Sequence, residues 1–243
     1  MEGITTYLIV VAVFCFAAFL QGLTGFGFGM AAMALLPLCM DFHEAVVLVA
    51  VLGLSVNLYT LFMYRHSFSW QDGRVLLIGA IVGTPCGVAV VEWVDESLLI
   101  RALGALICLF TANDLFVSRH KRISVPAAWA FPLGFLSGLF GAAFNIGGPP
   151  AVMYAYSRPW SKEQVVAVLQ VLFLVIGVLR VGLSFGAGLV KLNDVTLALV
   201  TLLPMFVAIS AGRYLLQRVS QPRLRYVVFI ALLIVGGNYL IRG

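Results

Sequence analysis

Charge is what this sequence has least of. Of its 243 residues only 10% are Asp, Glu, Lys or Arg, against 62% apolar, whereas a soluble domain carries about a quarter charged residues. With a mean hydropathy of +1.07, that excludes an ordinary globular domain and indicates a chain immersed in lipid for most of its length. Carboxylates are missing where a cation or proton relay would need them: Glu44, Glu92, Asp114 and Glu163 all stand at the ends of apolar runs. His43, His66 and His120 stand at such boundaries too. There is no HExxH, no phosphate-binding loop and no Gly-x-Ser-Gly paired with an intramembrane His, which argues against a metalloprotease, an ATP-driven pump or an intramembrane enzyme. No catalytic residue, metal or cofactor is expected. Cys15, Cys39, Cys86 and Cys108 fall singly inside apolar runs without CxxC spacing and read as small core hydrophobes. The net charge of +5 comes from basic residues in short gaps between those runs, so no nucleic-acid partner is expected.

What is present in quantity is apolar runs and glycine, 24 residues of it. Glu2 replaces the basic start of a signal peptide and no small-x-small cleavage site follows Leu20, so the first segment reads as retained. A spanning helix needs about 20 apolar residues. Charges and turn residues cut the chain into Ile4 to Leu20, a glycine cluster, Met30 to Met40, then Glu44 to Tyr64, Arg74 to Val91 and Ser97 to Phe116. The basic stretch Ser118 to Arg122 ends this series. The order then begins again with Ala127 to Leu136, a second Gly/Pro cluster, Ala151 to Tyr156, Glu163 to Phe185, Asp194 to Leu216 and Arg223 to Ile241.

The letters repeat as well as the hydropathy. Phe19-Leu20-Gln21-Gly22-Leu23-Thr24-Gly25 matches Phe135-Leu136-Ser137-Gly138-Leu139-Phe140-Gly141. Asp41 precedes Glu44, and Ser161 precedes Gln164, at capping-box spacing, while Pro85 and Pro204 lie at similar depth in the fourth segment of each series. The chain thus divides into a first membrane repeat, residues 1–118, and a second, 119–243, in one integral membrane domain. If each opening segment is a hairpin, Arg65, Arg74, Arg119, Lys121, Arg122, Arg158, Lys162, Arg213, Arg218 and Arg223 gather on one face. The other face keeps Glu92, Asp95, Glu96, Lys191 and Arg242. The positive-inside rule then puts both termini outside the cytoplasm and makes the repeats inverted. The fold class is an all-α polytopic membrane protein of two inverted repeats. Each repeat is a glycine-broken hairpin, of re-entrant or crossing form, plus three transmembrane helices.

The hairpin tips read Gln21-Gly22-Leu23-Thr24-Gly25-Phe26-Gly27-Phe28-Gly29 and Ser137 through Asn145-Ile146-Gly147-Gly148-Pro149-Pro150. Irregular backbone at membrane depth persists only where protein packs it or a wet cavity borders it. Each tip opens a helical arm whose first N–H groups lack intrahelical partners and carry partial positive charge, so an anion is the natural guest. Glycines used only for close helix packing are the bland alternative. The expected site draws on Gln21, Thr24, Gly25, Phe26, Gly27, Phe28 and Gly29 from the first tip. The second tip supplies Phe144, Asn145, Gly147, Gly148 and Pro149. Phe26, Phe28 and Phe144 form the apolar walls, and the amides after Gly27 and Gly147 the cradle. Gln170, about 10 Å down its helix, either joins this site or makes a helix-to-helix hydrogen bond, whereas Asn57 reads as a packing contact. Arg180, some five residues from the outer end of its span, either snorkels to water or attracts anions at an outer vestibule.

At these tips the sequence resembles the TauE/SafE family, sulfite exporters and relatives that move organosulfonates and other sulfur-containing anions. The pieces that carry the resemblance are Gln21 to Gly29 with Pro37, Gly147 to Tyr154, and Trp160-Ser161-Lys162-Glu163. Phe28 between Gly27 and Gly29, and Asn145, depart from the commoner Gly-x-Gly-Gly-Gly form and would change the size of the pocket. The resemblance implies an anion carrier in a prokaryotic inner membrane, with the tips as binding elements and a small sulfur oxyanion or organosulfonate as partner, alongside the lipid bilayer. The expected function is facilitated export by alternating access. The competing reading is a membrane scaffold or assembly factor whose tips pack against a protein partner. The sequence leaves the oligomeric state open.

Overall fold

A computed structural model describes residues 2–68, 70–116, 125–186, 192–216 and 221–242. Among them the chain forms ten α-helices and no strand. They are α1 (Glu2–Thr24), α2 (Phe28–Leu35), α3 (Phe42–Tyr64), α4 (Trp70–Trp93) and α5 (Glu96–Phe116), then α6 (Ala130–Phe144), α7 (Gly148–Tyr156), α8 (Lys162–Gly186), α9 (Leu192–Leu216) and α10 (Gln221–Arg242). The basic stretch Ser118 to Arg122, with the division between the repeats, and Lys191 and Arg218 lie outside the described residues. Among the described residues five stretches are long and apolar enough to cross a bilayer: Tyr7–Thr24, Phe42–Ser67, Gly73–Trp93, Ala127–Phe144 and Lys162–Phe185. The protein is therefore a multi-pass helical membrane protein.

Both expected caps form. Asp41 accepts hydrogen bonds from the His43 and Glu44 amides at 2.9 and 3.2 Å. Ser161 and Gln164 make a reciprocal box: the Ser161 amide donates to Gln164 Oε1 at 2.8 Å and the Gln164 amide donates to Ser161 Oγ at 3.2 Å. Pro85 and Pro204 both sit inside helices, α4 and α9.

The tips are shorter than the sequence suggested. Helix α1 continues through Thr24 and α6 through Phe144, so the breaks shrink to Gly25–Gly27 and Asn145–Gly147. Gly25 (φ 80°), Gly27 (φ 105°) and Asn145 (φ 56°) are the left-handed residues that end or restart the helices. Aligning the breaks pairs Gly25 with Asn145, one helical turn further along than the letter match with Gly141. A one-turn slip leaves the small residues on the same helix face, which is why the letters matched in the wrong register.

The long helices pack in pairs: α1 on α9, α6 on α4, α3 on α8 and α5 on α10. Exchanging the first five helices for the last five maps this set onto itself. The paired contacts are backbone to backbone. A Cβ at Gly79, Gly83 or Gly87 of α4 would collide with the Phe131, Phe135 or Leu139 carbonyl of α6. One at Gly134 or Gly138 would collide with the Leu76 or Ala80 carbonyl of α4. Gly22 and Gly212 meet Ile209 and Phe19 in the same way between α1 and α9. With little hydrophobic drive between helices in lipid, such close approach supplies the attraction. The first five helices and the last five are consequently interleaved, α1 being sealed to α9 and α6 to α4.

Helices α3 and α8 run antiparallel: Leu54 opposes Gly177, and Asn57 and Gln170 are bridged by Gln21. Helices α5 and α10 do too, with Gly104 beside Tyr239 and Cys108 beside Leu233. Replacing Gly83 by Leu should lower the stability of the detergent-solubilised protein by about 1–3 kcal/mol through overpacking. Replacing Gly182, which has nothing within 4 Å of its would-be Cβ, by Ala should leave stability unchanged or slightly raised. Thermal unfolding of the two variants beside the wild type checks this, and equal melting of all three would refute the packing account.

Candidate functional site

Both breaks border one cavity. It is lined by Gln21, Phe26 to Met30, Gly141 and Asn145 to Pro149 from the hairpins, by Val49, Ala50, Gly53, Leu54 and Asn57 from α3, and by Phe173, Ile176, Gly177 and Arg180 from α8. It offers about 80 Å³ to the centres of water molecules. One water needs about 10–15 Å³ on that measure, so the space suits a few waters or one small oxyanion. The lining residues on each long helix form a stripe, 49-50-53-54-57 on α3 and 173-176-177-180 on α8, as one helix face must. Gly53 is at the middle of α3, so the cavity lies halfway along the spans. The first break sits level with Asn57, the second with Val46. The two tips therefore overlap past each other with the cavity between them.

The freed backbone groups of the breaks are mostly satisfied from within. The Gly25 amide donates to the Gln21 carbonyl at 2.8 Å, and the Gly25 carbonyl accepts from Gln170 Nε2 at 2.8 Å. The Thr24 hydroxyl bonds the Leu20 and Phe26 carbonyls. At the second break the Asn145 amide donates to the Gly141 carbonyl at 3.0 Å, the Ile146 amide to Phe140 at 3.2 Å, and Ser137 Oγ to the Gly147 carbonyl. Asn145 Nδ2 donates to the Val46 carbonyl at 3.0 Å. Each tip is thus pinned to the third helix of the other half, one by Gln170 of α8 and the other through Val46 of α3.

Gln21 is the hub of the first tip. Only 2% exposed, it donates through Nε2 to Gln170 Oε1 at 3.3 Å and to Asn57 Oδ1 at 3.4 Å. Its Oε1 accepts from the Phe28 amide at 3.1 Å. That last bond revises the expected cradle, because the first amide after Gly27 is already taken. The Gly29 and Met30 amides precede the first bond of α2, from the Ala31 amide to the Gly27 carbonyl, and both residues line the cavity. On α7, Pro149 and Pro150 have no N–H to give, which leaves Gly148 as donor from the first turn.

Ten of the expected site residues line the cavity: Gln21, Phe26, Gly27, Phe28, Gly29, Asn145, Gly147, Gly148, Pro149 and Arg180. Thr24, Gly25 and Gln170 stand behind that lining as supports of the first break. Phe144 does not wall the cavity. As the last residue of α6 it stays on that helix's packed side, 4% exposed, with its ring centre 6.3 Å from that of Phe42. Phe173 takes its place. Sequence reasoning also passed over Gly53 and Gly177, whose missing side chains leave room mid-span, and misjudged Asn57 as a packing contact. The i, i+4 spacing of Gly53 with Asn57, and of Phe173 with Gly177, was the signal available.

Arg180 neither snorkels nor sits in a vestibule. It is 3% exposed and lines the cavity. Nη1 donates to the Gly141 carbonyl at 3.4 Å, while Nε has no hydrogen-bond partner. Among the described residues no carboxylate lines the cavity with it. A guanidinium presents five donors, and an unpaired buried charge is costly, so this one is placed to receive acceptor atoms from an occupant of the cavity.

The sequence profile of the family described as Sulfite exporter TauE/SafE matches residues 10–239. No curated protein and no solved structure matches the chain. The match takes in both tips, all four lining segments of the cavity and every paired helix: this chain belongs to the TauE/SafE family of membrane transporters.

Proposed function

We propose that this transporter carries small sulfur-containing anions, such as sulfite or an organosulfonate, across a prokaryotic inner membrane by alternating access to the cavity between the two tips. One observation carries the reading: Arg180, buried with a free Nε, borders a mid-span cavity that has no carboxylate. A cation or proton carrier needs the opposite charge pattern. Phe26, Phe28 and Phe173 give the cavity an apolar wall for the sulfur or carbon end of such an anion, and the Gly29, Met30 and Gly148 amides face its oxygens. The family match and the cavity that both breaks border favour this reading over the scaffold alternative.

The halves are read as inverted repeats. Helices that pair with their own counterparts, α3 with α8 and α5 with α10, run antiparallel, which a two-fold axis in the membrane plane requires and one along the normal forbids. Basic residues support the orientation. Arg213 lies over Tyr64 at the end of α3, and the segment with Arg65 packs against α8, so these basic residues share the end taken as cytoplasmic. Both termini then lie outside the cytoplasm. Because α1 is sealed to α9 and α6 to α4, the units that rock are the first hairpin with α9 and the second hairpin with α4, in place of the two sequence halves. Outward movement of one negative charge down an inside-negative potential releases about 2.3 kcal/mol per 100 mV, which favours export.

Changing Arg180 to Gln should weaken anion binding by about 2–5 kcal/mol, roughly thirtyfold or more in Kd. Sulfite flux into proteoliposomes should fall accordingly, with Arg180→Lys recovering part of it. Wild-type flux through Arg180→Gln would sink the assignment. Bulk at the tips should separate two effects. A Cβ at Gly148 would meet only Phe26 and Phe173, at 3.6 and 3.7 Å, so Gly148→Val should fill the cavity and stop flux while the melting temperature holds. Gly27, at φ 105°, admits no side chain without strain of order 1–3 kcal/mol, so Gly27→Val should lower the melting temperature as well. Flux measured beside thermal unfolding distinguishes them.

A further inference from the structure

From the charge balance of the cavity we infer that the site takes singly charged anions and rejects doubly charged ones, so that the species of sulfite carried is hydrogensulfite and sulfate is excluded. This rests on the anion-carrier reading above. Among the described residues the titrating and charged groups of the lining reduce to the Arg180 guanidinium, with no Lys, His, Asp or Glu beside it.

The helix ends add no second net charge. Each break is the N-terminus of a short arm and also the C-terminus of a longer helix. The positive ends of α2 and α7 are therefore offset by the negative ends of α1 and α6 at the same place. The α2 end is further occupied by Gln21 Oε1 on the Phe28 amide, and Pro149 withholds a donor from α7. At the negative ends, the Gly141 carbonyl already accepts from Arg180 and from the Asn145 amide. What remains beside Arg180 is neutral: the Gly29, Met30 and Gly148 amides. A monoanion on Arg180 makes a neutral complex. A dianion leaves one uncompensated negative charge against Phe26, Phe28, Phe173, Val49, Leu54 and Ile176 in a space that holds only a few waters.

The test uses wild-type protein in detergent. Direct binding of sulfite and methanesulfonate is measured over a pH series spanning the second ionisation of sulfite, and sulfate serves as competitor. Methanesulfonate stays singly charged throughout and so reports any titration of the protein itself. The expected result is a methanesulfonate Kd that is flat with pH. The apparent Kd for total sulfite should rise about tenfold per pH unit above that ionisation, and sulfate in large excess should displace neither ligand. A sulfite affinity that stays constant or strengthens as pH rises, or effective competition by sulfate, overturns the charge rule while leaving the anion carrier standing. Parallel weakening of both ligands assigns the pH dependence to the protein and overturns it too. Failure of both ligands to bind at every pH removes the anion-carrier reading itself, and the charge rule with it.

Discussion

A polar backbone group at membrane depth must find a partner in protein or trapped water, and this requirement organises the molecule around its two helix breaks. Opening a helix at Gly25–Gly27 and at Asn145–Gly147 releases carbonyls and amides in the middle of a hydrocarbon slab. The neighbouring side chains answer them nearly one for one: Gln170 for the Gly25 carbonyl, Gln21 for the Phe28 amide, Ser137 for the Gly147 carbonyl. Polar residues that look misplaced in an apolar chain are the ones the breaks need. Donors on Gly29, Met30, Gly148 and Arg180 belong to residues bordering the same cavity, so free hydrogen-bonding capacity and the cavity coincide there.

The breaks also depend on close helix packing, because a short arm of eight or nine residues does not hold itself in place by its own ladder of hydrogen bonds. Glycines at Gly79, Gly83 and Gly87 bring α4 against α6, and Gly22 and Gly212 bring α1 against α9. Arm α2 is fixed further by the Phe14–Phe28 ring contact at 6.0 Å and by the Tyr239 hydroxyl, which donates to the Ala34 carbonyl at 2.9 Å. The glycines thus serve both readings weighed at the level of sequence. Gly22, Gly134 and Gly138 are packing residues, whereas Gly27 and Gly148 border the cavity.

That division explains which parts were legible. The all-helical membrane class, the ten helices and the two glycine-broken tips follow from hydropathy and from glycine clustering, because both are local properties of the chain. Membership of the family rested on the same tips. The register between the tips was not legible, since Gly22 and Gly138 match as letters while the helices end one turn apart; only the φ angles of Gly25 and Asn145 fix the correspondence. Asn57 was discounted because depth was counted from the end of its helix. The first tip, however, reaches past the middle of α3 and brings Gln21 to it. Phe144 was assigned to the wall because α6 was expected to end before it. In each case the missing information was where a neighbouring element stops, which no single segment encodes.

Arg180 shows how far a local argument goes before packing decides. Its distance from the end of α8 allowed the side chain to reach water, and the stem is long enough to do so. Helices α3 and α6 close that route: Gly177, one turn short of Arg180, lies against Leu54, and the guanidinium is held at the Gly141 carbonyl beside the second break. A buried guanidinium with one direct bond and an idle Nε lowers the stability of the empty protein, and a well-packed apolar residue in its place would raise it. A fold that retains such a group between two hairpins, each sealed to the opposite half, stores that cost where only an occupant of the cavity relieves it. Occupancy then draws the two hairpins toward a common ligand. In the proposed carrier, the contact that selects for negative charge is thereby also the contact through which the substrate biases the rocking of the two units.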